Sequence, residues 1–170
     1  MAFMLCARAA WAAPQTLTIT PDNTEIGFRV YVFGFIPLDG HFTRFSGTLT
    51  LDPADPGQCR IAVRVVTASL VMPDAKAERM ALGEDFLNAG AYPALLYDGG
   101  CRAQPGAPPR LDGQLRMRGL TGALAFSLAR TGQRFEVEAT LQRDQWGMTA
   151  HPMLAGGRVR IRVTTALAPP

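Results

Sequence analysis

His41-Phe42-Thr43-Arg44-Phe45-Ser46-Gly47-Thr48-Leu49-Thr50-Leu51-Asp52 is the stretch on which the fold turns. From Phe45 onward Gly47, Leu49 and Leu51 share one face while Ser46, Thr48 and Thr50 share the other, the two-residue period of a half-buried strand. Phe42 lies three residues before Phe45, so both face inward only if an extra residue near Thr43 or Arg44 bulges out of register. Gly47 leaves a gap in the apolar run and favours a sharp bend or close approach of another backbone. A strand that bends in this way belongs to a sheet that curls.

The same alternation recurs along the chain. Residues 16–20 form a short first strand, and Pro21-Asp22-Asn23 carries turn chemistry. In residues 24–33, Ile26, Phe28, Val30 and Val32 oppose Glu25, Arg29 and Tyr31. Residues 34–40 then read as an apolar loop folded over a barrel mouth. Beyond a turn at 52–57, Ile61, Val63 and Val65 alternate with Arg60, Arg64 and Val66 in a strand over 58–69. Residues 73–83 change period: alanines, Met80 and Leu82 favour a helix that Gly83 stops. Further strands are expected at 94–102, 110–118, 123–129, 134–143 and 158–165, with a loop over the Pro-rich segment 104–109. The sum is an all-β architecture of eight or nine antiparallel strands with one helical insertion near residues 73–90. It is a barrel or a sandwich, with one wet and one dry face.

At 170 residues the chain suffices for one domain with a real core. Residues 14–170 are read as that domain. The 17 basic residues stand against 14 acids and are spread along the strands, a balance too even to imply nucleic acid as a partner. Residues 1–13 combine Phe3-Met4-Leu5, Arg8 and the small-residue pattern Ala10-Trp11-Ala12 before Pro14. They are either a secretory signal missing its beginning or a disordered tail. With Cys6 removed by processing, Cys59 and Cys101 remain, an even pair suited to an oxidising compartment. Cys59 opens one strand and Cys101 closes another, so antiparallel pairing brings both to the same end. A disulfide is expected; the alternative is two buried thiols.

The order Asp22, Gly27-Phe28, Gly40-His41-Phe42, Phe45-Ser46-Gly47-Thr48-Leu49, Asp85-Phe86, Tyr92-Pro93, Gly119-Leu120-Thr121 and Arg143-Asp144-Gln145-Trp146-Gly147-Met148 resembles the YceI family over nearly all of the chain. Each motif is short; their order is what makes the match specific. The resemblance implies a lipocalin-like barrel with a helical insertion, exported to the bacterial periplasm. It also implies a lumen that binds polyprenyl chains or quinones as non-covalent ligands, with no other cofactor. One departure concerns the insertion, where Glu78-Arg79-Met80-Ala81-Leu82 replaces the family's charged, His-containing segment.

The residues themselves supply candidates for such a lumen. Ile26, Phe28, Val30, Val32, Phe42, Phe45, Leu49, Val63, Val65, Leu115, Met117, Phe126, Phe135, Val137 and Val163 all fall on the inward parity. Either they pack into a solid core or their summed volume leaves a void, and patterning does not choose. At about 0.8 kcal/mol per buried methylene, a void would hold a hydrocarbon chain without hydrogen bonds. Phe35, Phe86, Arg143, Asp144 and Trp146 are candidates for a rim or lid. For Trp146 the competing reading is a corner packed on the outside of the sheet, and for Arg143 a local ion pair.

Catalysis has little to stand on. The two histidines, His41 and His151, have no metal-ligand partner at i+2 to i+4, and no nucleophile elbow, phosphate loop or His-Glu-x-x-His motif occurs. No catalytic and no metal-binding residue is assigned. The expected function is a non-enzymatic carrier of a small apolar lipid. Alternatives are a barrel that binds other proteins through its Arg-rich strands, haem ligation by the two histidines, or a hydrolase assembled from distant residues. An apolar segment at 33–38 would suit a homodimer contact, the chain being otherwise a monomer; transient contact with a membrane surface is a further expected partnership.

Overall fold

The computed structural model describes residues 14–52, 55–131, 134–152 and 155–166. The signal-like segment therefore lies outside the described residues. Eleven strands and one helix follow in chain order: β1 (Gln15–Ile19), β2 (Thr24–Val32), β3 (Ile36–Phe42), β4 (Phe45–Asp52), β5 (Asp55–Val66), β6 (Leu70–Val71), α1 (Ala75–Leu82), β7 (Ala94–Gln104), β8 (Ala107–Met117), β9 (Leu120–Thr131), β10 (Arg134–Gln142) and β11 (Ala155–Ala166). All pairings are antiparallel within one sheet, in the order β1-β4-β5-β7-β8-β9-β10-β11-β2-β3-β6.

The register shows why eight or nine strands became eleven. β1 pairs with β4 and β2 with β3, so residues 15–32 form one stave interrupted at 20–23, running antiparallel to a second stave interrupted at Thr43 and Arg44. That second stave pairs with β5 and then β6, which are parts of a third. Eleven strands less these three fusions leave eight staves, and the pairing of β11 with β2 joins the eighth back to the first. The sheet is curled into a barrel.

Each interruption is held by side chains that replace the missing ladder bonds, as buried backbone groups require. Asn23 accepts from the Thr20 amide at 3.0 Å and donates to the Thr18 carbonyl at 2.7 Å. Thr67, fully buried, donates to the Tyr92 carbonyl at 2.7 Å. Ser69 donates to the Val66 carbonyl at 2.7 Å and accepts from the Arg44 amide at 3.0 Å. The irregularity expected between Phe42 and Phe45 is the Thr43-Arg44 break, and both rings are buried. At Gly47 a Cβ would lie 2.5 Å from the Ala62 carbonyl oxygen, which is the close backbone approach its place in the run implied.

Two segments read as loops are strands. Residues 36–40 belong to β3, because Phe33 and Gly34 (φ 51° and 81°) turn the chain sharply and Ile36 comes to pair with Val32. Pro37 sits opposite Tyr31 where β3 has no partner on its other side, so its missing N–H costs no ladder bond. Pro108 and Pro109 likewise lie in β8, and the hairpin turn shrinks to Pro105 and Gly106. The two-residue β6 has no sequence signal of its own; it ends the stave begun by β5.

Helix α1 spans the gap between β6 and β7. Asp74 caps its start by accepting from the Ala77 amide at 2.7 Å, and Gly83 ends it. Cys59 and Cys101 face each other across β5 and β7 and are joined by a disulfide, with Cα atoms 4.8 Å apart and a sequence separation of 42. For a loop of that length chain entropy gives about 4 kcal/mol of stability. Chemical denaturation with and without reductant should show a loss of that order, and an unchanged midpoint would contradict it.

Candidate functional site

The barrel is not filled. A cavity of about 520 Å³ runs through it, within the range of about 300 to 1,000 Å³ typical of small-molecule sites. One end is walled by Ile19, Leu51, Leu111, Phe135 and the two cysteines, the other by Leu38, Ala77, Met80, Ala81, Phe86 and Met148. Inward residues of β10 and β11, Val137, Val159, Ile161 and Val163, are only half-buried despite facing the interior. A solid core would have hidden them.

The structure places the expected lumen residues as follows. Ile26, Phe28, Val30, Val32, Phe42, Leu49, Val63, Val65, Leu115, Met117, Phe126, Phe135, Val137 and Val163 line the cavity. Phe45 is buried but does not line it, because it sits at the break between β3 and β4. Of the lining residues missed, Leu38 lies in a segment read as loop, while Ile61, Leu95, Leu124, Leu128 and Ile161 lie on the inward parity of strands already expected. Tyr97 was also missed. It points inward over Gly113, where a Cβ would lie 2.5 Å from its hydroxyl, and it donates to the Leu124 carbonyl at 3.1 Å. Burial pushes the Tyr97 hydroxyl pKa up, so the group stays a neutral donor.

The rim candidates separate. Phe35 is 74% exposed at the β2–β3 hairpin, beside Phe33 and Ile36, which are also exposed. Asp144 is exposed and accepts from the Gln145 amide. Trp146 is neither a lid nor a residue on the outside. It is fully buried, its indole N–H donates to the Leu115 carbonyl at 3.3 Å, and its ring lies against Gly122. The glycine makes the room, since a Cβ there would come within 2.9 Å of the ring.

Phe86 and Arg143 meet at the helix-covered end. The Arg143 guanidinium lies 5.5 Å from the Phe86 ring centroid, and both line the cavity. Arg143 is 4% exposed, and no carboxylate among the described residues is within ion-pair distance. Burial pushes its pKa below the usual arginine value. Phe86 is held from behind by His151, whose ring stacks 6.2 Å away and whose Nε2 lies 3.2 Å from Asp85. Arg118 donates to the carbonyls of Glu84 and Phe86 and ties this loop to the end of β8.

Outside, charge is arranged in cross-strand pairs. Arg29 reaches Asp39 at 2.6 Å, and Arg162 reaches Glu136 and Glu138 at 2.8 and 2.6 Å. The Arg29 guanidinium holds the Asp39 carboxyl below the usual carboxylate range. These pairs are exposed and add little stability, but they keep the wet face polar.

A family model described as the YceI-like domain matches residues 17–167. The chain belongs to the YceI family. Curated relatives include UPF0312 proteins of Photorhabdus laumondii, 25% identical over 161 residues covering 95% of this chain and 80% of the relative, and of Yersinia pestis, 26% identical over 171 residues covering 99% and 85%. Among solved structures, BcnA of Burkholderia cenocepacia superposes with a TM-score of 0.73 at 18% identity, covering 85% of this chain and 96% of its own. A polyisoprenoid binding domain from Saccharophagus degradans, implicated in plant cell wall breakdown, gives 0.58 at 9% identity, covering 89% and 98%. These likenesses establish the fold of this YceI-family barrel.

Proposed function

We propose that this YceI-family chain is a non-enzymatic periplasmic carrier that holds a long apolar lipid, polyisoprenoid or quinone-like, in its lumen. The observation that carries the reading is the continuous cavity of about 520 Å³, walled by aliphatic and aromatic side chains from the disulfide end to the helix end. An elongated apolar hollow suits a chain, because each methylene moved out of water contributes about 0.8 kcal/mol without any directional contact. The printed description of the Saccharophagus neighbour supports an isoprenoid, and the disulfide supports an oxidising compartment. The haem alternative lacks ligands: His41 is exposed on β3 opposite Gly27, and His151 is exposed beside Asp85. Neither lines the cavity. Among the described residues no three His, Cys, Asp or Glu side chains gather to hold a metal ion.

A series of n-alkanols of increasing length tests the reading by competition with a neutral fluorescent probe. Affinity should rise about fourfold per added methylene, as about 0.8 kcal/mol each requires, and level off when the chain outgrows the lumen. Affinity independent of chain length would contradict it.

A further inference from the structure

Among the described residues Arg143 is the one buried cation of the lumen wall, Lys76 on α1 being exposed, and its hydrogen bonding is incomplete. Nη2 donates to the Ala155 carbonyl at 3.0 Å and the guanidinium face covers Phe86, but Nη1 is buried with no hydrogen-bond partner among the described residues. An unmet donor on a buried charge is costly, and proteins rarely leave one without a purpose. The neighbouring carboxylate of Asp144 does not meet the need, since it is exposed and bonded to the Gln145 amide. The rest of the lining is apolar except for Asp74, Lys76, Thr165 and the Tyr97 hydroxyl; Asp74 caps α1, Thr165 pairs with Thr24 and the tyrosine is a donor, so whatever satisfies Nη1 from within the lumen arrives with the ligand.

We infer that Arg143 is the head-group subsite of the lumen: the bound lipid carries an oxyanion, phosphate or carboxylate, that accepts from Nη1 at the helix-covered end while its tail runs toward Cys59 and Cys101. This rests on the lipid-carrier reading and narrows it from neutral chains to anionic amphiphiles. An oxyanion there gains a charge-assisted bond in a site shielded from water and neutralises a charge with no acidic partner. A neutral hydroxyl head gains only the weaker bond. Phe86, clamped by His151 and by Arg118 through its backbone carbonyl, gives the guanidinium a fixed surface to rest on.

Three ligands with one C15 chain separate the contributions: farnesol, farnesyl phosphate and farnesoic acid, each titrated against a bound neutral probe. In the wild-type protein the two anions should bind at least about tenfold more tightly than the alcohol, the scale of a hydrogen bond to a charged group, and whichever anion leads identifies the head. In Arg143→Met that preference should vanish while farnesol affinity changes less than about threefold; Arg143→Lys should keep part of it. Equal affinities for all three in the wild type would overturn the subsite and leave the cavity reading standing, a comparison that needs no variant to fold. A lower melting temperature in Arg143→Met with an unchanged anion preference would show a purely structural arginine and also overturn it. Failure of all three to bind would remove the subsite together with the carrier reading.

Discussion

Val63→Trp combined with Val137→Trp is expected to weaken binding of a long apolar ligand by about a hundredfold while leaving the barrel folded. Val63 lies on β5 and Val137 on β10, both face the cavity, and both are only half-buried. Two indoles therefore grow into empty space. If they displace about four carbons of a bound chain, the loss is on the order of 3 kcal/mol, or about a hundredfold. Overpacking in a filled core would instead cost about 1 to 3 kcal/mol of stability at each site, so the thermal melt separates the two cases. Thr140→Trp is the matched control, because Thr140 is exposed on the outer face of β10. It should change neither property. A double variant that binds as tightly as the wild type would mean that ligand does not occupy the lumen.

Trp146→Ala should be the most damaging single change to stability. Among the described residues it removes the largest fully buried side chain, together with the indole's hydrogen bond to the Leu115 carbonyl. Truncating a buried Trp costs about 3 to 5 kcal/mol, and the lost hydrogen bond adds about 1. The expected loss is therefore about 5 kcal/mol, a large part of the roughly 5 to 15 that hold a domain together. Urea denaturation followed by far-UV circular dichroism reads it directly. Trp146→Phe should recover much of the packing but not the hydrogen bond. A loss below about 1 kcal/mol for Trp146→Ala would contradict the placement of the indole against Gly122.

How far the chain could be read in advance follows from what each feature depends on. The inward face was legible because side-chain direction in a strand is local: Ile26, Phe28, Val30 and Val32 alternate with Glu25, Arg29 and Tyr31 whatever surrounds them. The disulfide was legible because antiparallel pairing of its two strands brings Cys59 and Cys101 to one end. Segments containing proline were misread: Pro37 looks like a loop residue until its pairing with Tyr31 shows an unpaired far side, and Pro108 until the ladder of β8 is seen to shift register beside it. Trp146 points where it does because Gly122, distant in sequence, leaves a hollow for it, and no local pattern records that. Whether the lumen was full or empty depends on how a closed ring of staves spaces its walls. The isolation of Arg143 depends on which acids fail to reach it. Both are properties of the folded object.

A barrel that keeps a lipid out of water in an apolar hollow carries that lipid with it when purified. Native mass spectrometry of the protein isolated from its own cells, before and after extraction with organic solvent, reads this out. The expected result is a single added mass at one ligand per chain that disappears on extraction and returns when the extract is added back. A protein of bare polypeptide mass that takes up neither the extract nor farnesol would contradict it.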